Sequence, residues 1–204
     1  MSYLKRIFLF LLIASTASAA AGRAQTSVAL SVYGAFNGTT TGNGVQQSPS
    51  NSAGGLIEFR HISNPILGWE ATYSYNEANQ NYRNYCGLGV TCVPSTPASV
   101  SAEAHEVTAD WVPSIHISNL RPFGVLGLGL LLNEPASGQG NTTTSTQAVY
   151  VYGAGLDWGL LPHLGLRFQY RGNLYKAPDV TKLYTSTNAF THTAEPMIGA
   201  YFSF

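Results

Sequence analysis

Twice the chain spells His-Ile-Ser-Asn, at His61 to Asn64 and again at His116 to Asn119. A histidine two residues before a serine sets a base near a hydroxyl nucleophile, the beginnings of acyl transfer once a carboxylate orients the imidazole. Ser63 or Ser118 would attack, His61 or His116 would take the proton, and Glu58 is the acid at hand. Both copies fall in short turn-like stretches, however, and turns favour Ser and Asn for their own reasons. Strand phase also turns His61 away from Glu58. No catalytic residue is expected. His105, His163 and His192 show no ligand spacing with other His, Cys or acids, and no phosphate-binding glycine pattern or calcium-loop spacing is present, so neither a metal nor another cofactor is expected.

The second set of reactive side chains is larger. Glu58, Arg60, Glu70, Glu106, Asp110, Asp157, Arg167, Arg171 and Glu195 share one face of an alternating pattern, six acids against three bases. An unpaired buried carboxylate is costly, so Arg60, Arg167 and Arg171 should each serve more than one acid. Counting from the turns sets Arg171 and Glu195 at one height, with Glu58, Glu70 and Arg167 together deeper. Such a cluster is either a hydrogen-bonded plug or a gated conduction path. A third pair, Cys86 and Cys92, has the wrong spacing for a CxxC redox motif. In an exported chain these two cysteines are expected to form a disulfide that ties down a loop tip.

Export is written in the first residues. Lys5 and Arg6 precede the apolar run Ile7 to Ala14, too short to span a bilayer, and small residues follow through Ala21. Residues 1–24 read as a signal peptide, with cleavage favoured after Ala24 over Ala19 or Ala21. No cysteine lies there to carry a lipid anchor. Removing Lys5, Arg6 and Arg23 leaves 7 basic and 10 acidic residues, a formal charge of −3. That balance gives no footprint for nucleic acid.

The elements that position these groups follow from composition and period. Of 204 residues only 10% are charged and 12% are aromatic, whereas soluble domains carry about 25% charged residues. No stretch is apolar enough for a transmembrane helix; the nearest, Phe123 to Leu132, is broken by Gly124, Gly127 and Gly129. Period-2 alternation predicts eight strands, near 27–37, 54–62, 67–77, 103–112, 122–132, 147–158, 163–174 and 193–204. In each, one face carries Leu, Val, Tyr, Trp or Phe and the other Gly, Ser, Thr or a charge. Connections alternate between short, Pro-containing turns and long Ser/Thr/Asn/Gly loops, of which 38–52 and 136–147 read as mobile solvated surface. That asymmetry marks outer-membrane barrels, with the short side periplasmic. A soluble lipocalin-type barrel would need a water-facing exterior rich in Lys and Glu, which neither face offers.

The fold class expected for 25–204 is therefore all-β, an eight-stranded antiparallel up-and-down transmembrane β-barrel preceded by a cleaved signal peptide. The stretches RPFGVLGLGL (121–130) and GAGLDWGLLPHLGLRFQYRG (153–172) and the final Phe204 resemble the eight-stranded outer-membrane barrels similar to the transmembrane domain of outer-membrane protein A. That resemblance implies a bacterial outer-membrane location, lipid and lipopolysaccharide as surroundings, and recognition of Phe202 and Phe204 by the barrel-insertion machinery. With Phe204 as the final residue, no peptidoglycan-binding domain and no wall tethering are expected. Lipid A deacylases are also eight-stranded barrels with a His-x-Ser-Asn motif, but their Asn-x-Gly-x-Glu continuation is missing from both copies here. The function expected is structural or surface-interacting, through an unidentified extracellular partner of the loops, in a monomer. The alternatives are a narrow, low-conductance channel and, behind it, a deacylase-like hydrolase.

Overall fold

A residue whose neighbours alternate in polarity is stable only where its two sides meet different surroundings, and each of the eight barrel strands meets lipid on one side and its own barrel interior on the other over its membrane-spanning part. The computed structural model describes residues 25–85 and 96–204. It contains β1 (Gln25–Asn37), β2 (Thr40–Gly42), β3 (Val45–Pro49), β4 (Ser52–Ile62), β5 (Gly68–Asn84), β6 (Ala98–Trp111), β7 (Leu120–Pro135), β8 (Ser145–Leu161), β9 (Leu164–Lys176) and β10 (Phe190–Ser203). Eight of them close a ring in the order β5-β4-β1-β10-β9-β8-β7-β6, with β6 returning to β5 and every pair antiparallel. Closure leaves no strand edge, the condition for crossing a hydrocarbon layer with β-structure.

The phase read from the sequence holds along each strand. Leu30, Val32 and Leu128 are more than 60% exposed, whereas Ala29, Ser31 and Tyr33 between them are buried. Trp69 and Trp111 face each other across β5 and β6 near the short turns, and Tyr75 faces His105 toward the long loops. Tyr73 shares a 2.9 Å hydrogen bond with His105, and Tyr152 one of 2.8 Å with His192. These rings form aromatic girdles. From Trp111 to Glu103 the strand runs about 26 Å at about 3.3 Å per residue, or about 20 Å along the barrel axis at a tilt of about 40°.

The wall stands higher than the alternation implied. Residues 38–52, expected to be mobile surface, contain β2 and β3, and β3 pairs with the upper end of β5 from Val45↔Asn84 to Pro49↔Gln80. Their polar side chains hide the strand signal, because above the membrane the outer face meets water and needs no apolar residue. Val45 and Gln47 nevertheless point inward and are buried.

Candidate functional site: a layered luminal plug

Cross-strand register builds the deepest layer. It sets Arg60 of β4 opposite Glu70 of β5 and Asp157 of β8 opposite Arg167 of β9. Arg60 Nε donates to Glu70 Oε2 at 2.7 Å and its Nη1 reaches Asp157 Oδ2 at 3.3 Å. Arg167 donates to both oxygens of Asp157, at 2.6 and 2.9 Å, and its Nη1 crosses the lumen to Glu58 of β4. The Arg60 guanidinium carbon stands 4.0 Å from the Phe123 ring centre, so one face of the cation rests on an aromatic instead of water. Phe123 in turn fits only because Gly155 has no side chain: a Cβ there would stand 2.3 Å from the ring.

A second layer lies nearer the long loops. Arg171 donates to Glu106 at 3.2 Å, to Thr72 at 3.2 Å and to Thr108 at 3.3 Å, and stands 3.8 Å from Asp110. Thr108 donates to Asp110 at 2.8 Å, and Asn173 Nδ2 to Glu106 at 3.0 Å. Glu195 is the register neighbour of Arg171. The Arg171 guanidinium nevertheless turns across the lumen toward β5 and β6. All nine charged residues singled out from the alternation are buried, none more than 4% exposed. Arg60, Arg167 and Arg171 each meet two carboxylates.

The third layer was not foreseen. Residues 177–181 of the last long loop fold into the extracellular mouth, where Pro178 offers its carbonyl to Gln47 Nε2 at 3.0 Å and to the Tyr82 hydroxyl at 2.9 Å. Val180 of the same segment packs with Val45, Tyr82 and Val100 in an apolar cluster. Burial within this cap pushes the Asp179 carboxyl above the usual carboxylate range. A raised acid favours the docked loop while protonated, so docking should weaken as pH rises from the ordinary carboxylate range through the raised value. Corrected for the intrinsic base-catalysed rate, amide protection at Ala177, Asp179, Val180 and Thr181 is expected to fall over that rise, and Asp179→Asn to remove that fall.

Between cap and second layer remains a chamber of about 30 Å³, lined by Tyr33, Asn133, Asn173, Tyr175, Glu106 and Glu195 among others. At the periplasmic end opens a vestibule of about 350 Å³, with Arg121, Tyr201, His116 and Asn119 in its wall. Arg121, opposite Asp157 in register, lies one residue before the 122–132 strand that the alternation predicts. Arg121 is half-buried, and it shares the inward phase of the buried Phe123 and Val125, so the alternation extended one step toward the N-terminus includes it.

The remaining candidates are placed as follows. His61 closes β4 and shares a 2.9 Å hydrogen bond with Thr26, not Ser63; Ser63 is exposed in the turn, its amide bonded to Leu67 O. Glu58 is held by Arg167. Ser118 occupies a turn at φ 56°, closed by Ile117 and Leu120. Neither copy assembles a nucleophile, base and acid, so folded barrel incubated with lipopolysaccharide is expected to release no acyl chain; release lost in Ser63→Ala or Ser118→Ala would reverse this reading. Among the described residues no three His, Cys, Asp or Glu side chains gather as metal ligands. Cys86 and Cys92 lie outside the described residues. Phe202 and Phe204 are exposed on the lipid side with ring centres 6.4 Å apart, and the Phe204 amide donates to Thr26 O at 2.9 Å.

Comparison with known proteins agrees with this architecture. The family model described as outer membrane protein beta-barrel domain matches residues 7–195. No curated protein matches the chain. Among solved structures, neisserial surface protein A aligns at 15% identity with a TM-score of 0.55, over 88% of this chain and 97% of its own. OprG from Pseudomonas aeruginosa gives 11% and 0.53, over 88% and 95%. Ail, the attachment invasion locus protein of Yersinia pestis, solved in complex with the heparin analogue sucrose octasulfate, gives 17% and 0.51, over 90% and 100%. At these identities the likeness is one of fold.

Proposed function

The chain belongs to the outer-membrane protein β-barrel family, and we propose that in the bacterial outer membrane it acts as a structural and surface-interaction protein, not a pore. The filled lumen carries this reading. An eight-stranded barrel has room only for side chains, and here two ionic layers and a loop cap occupy it in series. What is left to act is the raised extracellular wall.

That wall is polar but not basic. Among the described residues above the girdle, Glu77, Glu103, Glu134 and Asp179 stand against Arg83, Lys176 and Lys182. A sulfated sugar of the kind bound to Ail would find no cationic patch in this set. The surface instead offers Ser, Thr, Asn, Gln and Tyr, suited to an uncharged partner held by hydrogen bonds. Capture of surface partners by intact cells, with and without the loop bearing Cys86 and Cys92, tests the reading: a partner lost with the loop supports it, and binding indifferent to every long loop refutes it.

A channel is the second reading, favoured by the open periplasmic vestibule beside Arg121. Both readings share the processing and assembly proposed from the sequence. The mature chain is expected to begin at Gln25, checked by N-terminal sequencing; Gln25 is already paired with Ile62 in the barrel wall. Deleting Phe204 is expected to reduce the fraction inserted into the outer membrane, read by membrane fractionation, and equal insertion of the truncated chain would remove Phe204 as an assembly signal.

A further inference from the structure

The two ionic layers differ in balance. In the deeper one Arg60, Arg121 and Arg167 face Glu58, Glu70 and Asp157, charge for charge. In the upper one Arg171 alone faces Glu106, Asp110 and Glu195, and all four side chains are buried. Among the described residues, two negative charges stand uncompensated in this part of the lumen. Buried charge of that kind is not left bare; a proton or a cation must answer it.

Oxygen atoms already gather where a cation would sit. Glu106 and Glu195 line the small chamber together with Asn173, Tyr33, Tyr175 and Thr193. Glu195 Oε2 has no hydrogen-bond partner although the residue is 4% exposed. Asn173 is 1% exposed, spends its amide nitrogen on Glu106, and leaves its Oδ1 without a partner as well. We propose that this chamber is a luminal site for one Ca2+ ion, held by Glu106 and Glu195 and completed by the Asn173 amide oxygen and neighbouring hydroxyls. Two carboxylates and neutral oxygens form a hard donor set, and a divalent ion cancels the surplus charge. The chamber, about 30 Å³, has the volume of roughly one water. A cation held directly by these oxygens must shed most of its water, which favours Ca2+ over Mg2+, a cation reluctant to do so. Bound there, the ion would tie β6, β9 and β10 together beneath the cap.

The test uses the folded barrel in lipid-free detergent, refolded with Ca2+ or with EGTA and then washed, because the proposed ligands are buried inside the lumen. Metal analysis should find about one Ca2+ retained per chain. Tb3+ loaded in the same way should luminesce on excitation of the tyrosines beside the site. Glu195→Gln is expected to abolish both signals, and Asn173→Ala to weaken retention by about tenfold or more. Glu103→Gln, in the surface row with Glu77 and Glu134, should change neither. A parent that retains no ion, including one whose stability responds to pH alone, overturns the proposal. So does retention that survives Glu195→Gln or is lost with Glu103→Gln. If Glu195→Gln does not fold, the parent measurement and Asn173→Ala decide the matter. None of these outcomes depends on whether the barrel conducts.

Discussion

Arg167→Met is expected to destabilise the folded barrel by about 3–5 kcal/mol, the cost of stripping a buried ion cluster of one partner, measured as a lower urea midpoint for the folded form. Arg167 is buried, and its guanidinium holds Asp157 by both oxygens and Glu58 across the lumen. Methionine fills much of the same volume but leaves two carboxylates with less positive charge; Asp157 keeps one close ion pair, the 3.3 Å contact with Arg60, with Arg121 as its register neighbour. The loss should therefore come from desolvated charge more than from packing. Adding Glu58→Gln and Asp157→Asn to Arg167→Met ought to recover most of it, since neutral groups cost far less to bury. If the triple variant is as unstable as the single one, packing against Phe123 and Tyr201 is the dominant contribution. Arg83→Ala, on the exposed wall beside Gln46, should change stability by no more than about 0.5 kcal/mol.

How much of this was legible in the sequence depends on which rule governs each feature. Period two is a local property, so the phase of Glu58, Arg60, Glu70, Glu106 and Asp157 could be read residue by residue, and with it the barrel. Pairing across the lumen is not local. Glu58 and Arg167 are 109 residues apart, and strand tilt decides which opposite-wall groups meet. Turn counting set Arg171 level with Glu195, which the register reproduces, but could not show the guanidinium swinging to Glu106. Above the membrane the outer face loses its apolar signal, so the alternation does not predict β2, β3 or residues 78–84 of β5. The cap was illegible for a related reason. Pro178 contributes a backbone carbonyl, a group every residue has, and only the fold reveals that Gln47 and Tyr82 are waiting for it.

The plug makes its strongest claim in a planar bilayer, where the folded barrel is expected to show no steady conductance. Each layer closes the lumen by a different interaction, so no single change should open it. Replacing 177–183 with a Gly/Ser linker removes Pro178 and Val180 from the mouth but leaves Arg171 spread among Thr72, Thr108 and Glu106. Glu58→Ala with Arg167→Ala removes a neutral pair from the deeper layer, yet Arg60 still spans from Glu70 to Asp157. Both variants should stay silent. Joining these changes to Arg60→Ala and Arg171→Ala takes away every guanidinium that bridges the interior between cap and vestibule, and discrete conductance steps are expected only then. Water should then enter along β6 and β7, where Gly127 and Gly129 add no side chain of their own and only Asp110 and Thr108 lie over them. Steady steps from the unaltered barrel would favour the channel reading, and the vestibule beside Arg121 would then be its periplasmic entrance. Silence from the parent combined with steps from the linker variant alone would place the whole barrier in the cap, with the ionic layers reduced to lining.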